Sequence, residues 1–128
     1  MWNGKNKAIT FSFDDCVLQD ERLIALFDKY GLKGTFNINS EYFGKAATRT
    51  AFMVDGDGDV VVAHGRTLRK KKVDKIHFTV EEFLKIYKNH EVAAHTLTHK
   101  KLPNLTNEEI IYQVETDRLN LERLTGKK

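Results

Sequence analysis

A single cysteine, Cys16, rules out an intramolecular disulfide and any zinc cage built from several thiolates. A metal site in this chain would have to use histidine and carboxylate ligands. No apolar run, "VVVA" at 60–63 among them, approaches the roughly 20 residues needed to span a bilayer. Nor does a hydrophobic stretch of the signal-peptide kind follow "MWNGKNK" at the start. We therefore expect no membrane segment, a chain compatible with a reducing compartment, and a cytoplasmic location if the N-terminus is native. Internal repeats and low-complexity tracts are lacking too. What remains is 128 residues, 41% hydrophobic and 30% charged, enough for one soluble globular domain with a real core.

The formal net charge is only +3, but Arg66, Arg69, Lys70, Lys71, Lys72 and Lys75 crowd into ten residues. No aromatic side chains interleave with these charges to stack on bases, and no nucleic-acid motif surrounds them. The run reads as a solvated loop, and nucleic acid is not expected as a partner.

Residues 8–13, "AITFSF", set Ile9, Phe11 and Phe13 against Ala8, Thr10 and Ser12, which is strand periodicity. From Gln19 to Tyr30 the apolar residues Leu23, Ile24, Leu26, Phe27 and Tyr30 recur at helical spacing, and Gly31 stands where a left-handed residue ends a helix. "GTFNIN" at 34–39 alternates again, with Phe36 and Ile38 opposed to Thr35, Asn37 and Asn39. A strand, a helix and a second strand predict a parallel pair and an α/β fold. From about 47 to 66, "TAFMV" and "DVVVAH" flank "DGDGD" and predict an inserted β-hairpin. A calcium loop does not fit that cluster, since Val60 and Arg66 stand where a glycine and a closing glutamate belong.

Thr79 with Glu82, and Thr106 with Glu109, are capping-box pairs that start two further helices. The first carries Phe83, Leu84 and Tyr87 and leads into a third core strand, "EVAA". The second carries Ile110, Ile111, Val114, Leu121 and Leu124 up to Gly126, a stripe interrupted by Asp117 and Arg118. The single proline, Pro103, lies in the loop before it.

Active sites of α/β proteins collect at the carboxyl ends of parallel strands. Strand one runs into Asp14 and Asp15, and strand three into "HTLTH", with His95 and His99 four apart. Taken alone, "DD" serves equally as a turn or helix cap, and two such histidines as a solvated pair. On a common rim they become one carboxylate and two imidazoles that leave positions open on a bound ion, as catalytic metal sites do. The second aspartate stays available to a water or substrate. Zinc, iron and other divalent ions all suit that donor set.

"TFSFDD" at 10–15, "GTFNIN" at 34–39 and "EVAAHTLTH" at 91–99 resemble the polysaccharide deacetylase family, also called carbohydrate esterase family four or the nodulation-factor deacetylase homology domain. The resemblance implies a distorted (β/α) barrel with parallel core strands. It implies that Asp15, His95 and His99 bind a divalent metal, usually zinc, and that Asp14 is the general base acting on metal-bound water. Thr96 matches a hydroxyl position whose side-chain hydrogen bond would steady the loop, and Cys16 falls where many members have glycine. The substrate implied is an N-acetylated sugar or polysaccharide.

The family's later motifs, an arginine that orients the base and a late histidine that acts as general acid, have no counterpart after His99. His64, His77 and His90 read as surface or helix-end residues. Closed barrels generally take 200 residues or more, so the expectation is the N-terminal part of a deacetylase domain over 1–128, without the later catalytic motifs and with exposed edges available for self-association. The competing reading is a non-catalytic carbohydrate-binding or oligomerisation module that keeps the fold.

Overall fold

The computed structural model describes residues 4, 6–53, 57–63 and 66–127. In chain order its elements are β1 (Ser12–Asp14), α1 (Asp20–Lys29), β2 (Thr35–Ile38), β3 (Ala46–Met53), β4 (Asp59–Ala63), β5 (Arg66–Ile76), α2 (Val80–Ile86), β6 (Glu91–Ala94) and α3 (Asn107–Thr125), with short 3-10 turns at Ser40–Tyr42 and Leu102–Asn104. The α/β expectation holds. β1, β2 and β6 form a parallel sheet with β2 in the middle, in register Ser12↔Thr35 and Phe36↔Val92. The sheet is open, with β1 and β6 at its edges.

β1 is shorter than the alternation of residues 8–13 suggested. A strand needs a partner for its backbone groups, and β2 begins only at Thr35, whose N–H donates to Phe11 O at 2.9 Å. Upstream of that point Ile9 is left 77% exposed. Phe11 and Phe13 still pack edge-on against Phe27 of α1, at centroid distances of 5.0 and 5.8 Å.

Phe36 and Ile38, the inward residues of β2, are completely buried among Ile24, Phe78, Phe83, Tyr87 and Leu121. α1 ends as the glycine signal indicated, with Gly31 at φ +66°, and both threonine–glutamate capping boxes are formed. The apolar stripe of α3 differs from its sequence reading. Ile111 and Val114 are exposed, and the buried face is Gln113, Asp117 and Leu121, four residues apart in turn. Two polar residues therefore occupy the helix face that meets the sheet.

The two β-prone runs expected to pair as a hairpin do not pair with each other. β3 and β4 each run antiparallel to β5 in a second sheet of order β3-β5-β4. β5 contains the basic run that composition alone assigned to a loop. Threonine, leucine, valine and isoleucine spaced through "RTLRKKKVDKI" supply enough β propensity to hold it extended. No described residue of β4 or β5 is buried.

His77 and His90 are interior residues rather than surface ones, 5% and 3% exposed, whereas His64 lies outside the described residues. His77 Nδ1 sits 2.9 Å from Lys45 O, and its ring lies against Tyr42 at 5.2 Å. His90 Nδ1 accepts from Gly34 N–H at 3.3 Å, and its ring meets Phe36 edge-on. Burial pushes the His90 imidazole below its ordinary value of 6.5, while Asp28, 3.5 Å from Nε2, opposes that shift.

A depressed folded value means that the unfolded chain takes the proton first as the pH falls. The stability contributed by neutral His90 is present above pH 6.5 and declines below it, towards the lowered folded value. The thermal midpoint is expected to drop as pH falls below 6.5. In His90→Asn, whose amide oxygen can still accept from Gly34, scanning calorimetry across that range should give a shallower slope.

Candidate metal centre

The carboxyl ends of all three parallel strands converge. β1 ends at Asp14 and turns at Asp15, whose N–H donates to Asn37 O at 2.9 Å. β6 ends at Ala94, and His95 N–H continues the pairing by donating to Ile38 O at 3.0 Å. One donor atom each from Asp15, His95 and His99 then lies within 4.8 Å of the others. His99 Nε2 is 3.8 Å from Asp15 Oδ1, and His95 Nε2 is 4.0 Å from Asp14 Oδ2. The two imidazole rings meet edge to face at 4.8 Å.

This donor set fits a divalent cation. Ligands around a tetrahedral zinc at about 2.0–2.2 Å are roughly 3.4 Å apart, so donors spread over 4.8 Å close on an ion with about 1 Å of adjustment. His99, with its side chain 56% exposed, has room to make it. A second observation points the same way: His95 Nε2 is buried and has no hydrogen-bond partner among the described residues. A buried imidazole nitrogen without a partner is costly unless something fills its lone pair.

The backbone around the donors is held in an uncommon form. Among the described residues, the non-glycine positions at positive φ are Asp15 (+86°), Cys16 (+56°), Thr96 (+66°) and His99 (+50°). Left-handed L-residues each cost about 1–2 kcal/mol and cluster at functional sites. Buried polar groups hold the loop against this strain. Asp117, fully buried on α3, accepts Ser40 N–H at Oδ1 (2.7 Å) and His95 N–H at Oδ2 (2.8 Å). Asn39 Nδ2 donates to His95 O at 2.5 Å and to Thr96 O at 2.7 Å. Gln113 Oε1 accepts both Thr98 N–H (2.9 Å) and Thr98 Oγ1–H (3.0 Å). Tyr42 donates its hydroxyl to Thr98 O at 2.8 Å.

The Thr96 hydroxyl does not steady the loop as expected, because Oγ1 is buried without a hydrogen-bond partner among the described residues. The hydroxyl that does is that of Thr98, two residues on. Asp14 also has a support that its sequence context did not announce. Asn37 Nδ2, one strand over, donates to Asp14 Oδ1 at 2.8 Å and to Ser12 Oγ at 2.8 Å. The carboxylate is thereby aimed with Oδ2 towards His95. Cys16 is 1% exposed, and burial pushes its thiol up to about 12, so the buried thiol stays protonated at neutral pH.

Asp117, Gln113, Asn39 and Asn37 were not read from sequence as residues of the site. For the two on α3 a signal was present. Positions 113, 117 and 121 share one face with the buried Leu121, so a polar residue there had to be either exposed or partnered. Removing the carboxyl group leaves Ser40 N–H without its acceptor and His95 N–H with only Ile38 O. Asp117→Ala should lower stability by about 3 kcal/mol in denaturant titration, and should weaken binding of added Zn²⁺ measured by calorimetry. A surface control such as Glu115→Ala should change neither.

Among the described residues no helix is long and apolar enough to cross a membrane. No curated protein and no solved structure gives a significant match to the sequence. A model of the polysaccharide deacetylase family matches residues 3–128, a span that contains both the aspartate pair and the histidine pair now seen to meet on one rim. The chain belongs to the polysaccharide deacetylase family.

Proposed function

We propose that the protein is a metal-dependent hydrolase that removes acetyl groups from N-acetylated sugars or polysaccharides, and that its three parallel strands are an arc of the family's distorted (β/α) barrel. The observation that carries this reading is the meeting of Asp15, His95 and His99 donor atoms within 4.8 Å, beside an aspartate that stands apart from the donor set. Family membership supports hydrolysis of amide bonds on carbohydrate.

Asp15, His95 and His99 would hold the divalent ion, with zinc the first choice for two imidazoles and a carboxylate. When bound, such an ion supplies a Lewis acid and makes a water acidic enough to be deprotonated near neutral pH. Asp14 is the base. Its Oδ1 is engaged by Asn37, so Oδ2, which points to the donor cluster, takes the proton of the attacking water. Breaking the amide releases an amine that must gain a proton. His77 and His90 are buried and bound elsewhere in the core, so neither is placed to give it.

Stoichiometric Zn²⁺ by elemental analysis is expected for the purified chain and should be lost in Asp15→Ala and in His95→Ala. Asp14→Asn should keep the ion and lower acetate release from N-acetylated oligosaccharides by about 100-fold or more. If all three variants keep the ion, the metal assignment is wrong. An ion-loaded wild type that releases no acetate would instead favour the passive carbohydrate-binding module.

A further inference from the structure

The antiparallel sheet plays no part in the metal centre, and its charge is distinctive. Residues 46–76 contain seven of the 21 basic and four of the 18 acidic residues. This segment therefore carries the whole net charge of +3, and the rest of the chain is neutral. β5, the middle strand, alone holds six basic residues and one acid. A central strand usually gains from cover on its faces, but no described residue of β4 or β5 is buried. Like charges crowded on a strand repel one another. A three-stranded sheet needs a packed face for independent stability, and none of its described residues is buried.

The sheet is rooted on the rim that bears the metal centre. Gly44 N–H donates to Phe78 O at 2.8 Å, His77 N–H to Lys45 O at 3.0 Å, and Leu18 N–H, shortly after Asp15, to Ile76 O at 3.0 Å. Lys71 is engaged by Asp57, both of whose carboxylate oxygens lie 2.7 Å from Nζ. Arg66, Lys70 and Lys72 alternate onto the other face, all exposed, and no ion pair holds them among the described residues. That face also has Asp59 opposite Lys70, and Asp74, which accepts from Thr48 Oγ1 at 3.0 Å.

We propose that this sheet is a docking surface for an anionic glycan, so that the substrate of the adjacent centre is an N-acetylated chain bearing carboxylate or phosphate groups. The glycan half of the proposal rests on the deacetylase reading; the anionic half rests on the sheet's charge. Residues 53–77 contain no phenylalanine, tyrosine or tryptophan. Phe52 of β3, opposite Lys70, is the one aromatic residue of the sheet; a single position does not make the row of stacking platforms that single-stranded nucleic acids use, and recognition along β5 falls to charge. β5, 11 residues long, extends about 35 Å, enough to follow several sugars of a chain whose acetylated unit lies at the rim.

The test is titration of the full chain with four probes at matched low salt: a hyaluronan oligosaccharide, N-acetylated and carboxylate-bearing; a neutral chito-oligosaccharide of equal length; a single-stranded DNA of equal charge; and phosphatidylglycerol vesicles. Hyaluronan should bind at least about tenfold more tightly than the neutral chain, with an affinity that falls as salt is added. Arg66→Gln/Lys70→Gln/Lys72→Gln should remove that advantage, whereas Lys70→Arg/Lys72→Arg should keep it. Equal affinity for charged and neutral glycans, or an unchanged advantage in the triple glutamine variant, overturns the proposal. Tighter binding to DNA or to vesicles overturns it in favour of that partner. Zn²⁺ stoichiometry followed in the same samples separates the two readings, because failure of the metal assignment appears there and failure of the docking surface does not.

Discussion

One buried carboxyl group organises the functional end of this molecule. Where a parallel strand stops, its next N–H group leaves the ladder and needs another acceptor. Asp117 supplies that acceptor for Ser40 after β2 and a second one for His95 after β6, whose N–H also reaches Ile38 O in the ladder. Its own helix is fixed in place by Leu121 in the core and by the Thr106–Glu109 cap. Through Asp117 the packing of α3 becomes the position of His95. Gln113, one turn earlier, does the same for the loop that leads to His99.

The strain in the site follows from this arrangement. Asp15, Cys16, Thr96 and His99 all adopt backbone angles that side chains disfavour. A loop built from glycines would reach the same path with less strain and less rigidity, but it could not present the donor atoms. Here the path is enforced by hydrogen bonds from outside the loop, from Asn39, Tyr42, Gln113 and Asp117. The backbone that carries the donors is therefore fixed in advance, and adjustment is left to side chains such as exposed His99.

Much of this was legible in the residues. Alternation found β2, the capping boxes located α2 and α3, and the aspartate and histidine pairs could be assigned to one rim because parallel strands put their carboxyl ends together. What escaped has physical reasons. β1 is cut short by the length of its partner, a property of a segment some 20 residues away. The basic run looked like a loop because charge was read more strongly than the β-formers among it, and the strand that gives it two neighbours is not evident locally. Asp117 looked like an interruption of an apolar stripe because its partners, Ser40 and His95, are distant in sequence. A buried polar residue can be recognised only through the groups it satisfies.

The Asp117 tie also orders events during synthesis. All four residues of the aspartate and histidine pairs have been made by His99, yet the group that sets the backbone of His95 comes 22 residues after it and 77 after Ser40. Until α3 has formed and docked, Ser40 N–H lacks its acceptor and the loop after β6 lacks the hydrogen bonds of Asp117 and Gln113. Such long-range closure is slow relative to local helix formation. A growing chain would thus not fix Asp15, His95 and His99 beside one another until α3 has been made and packed.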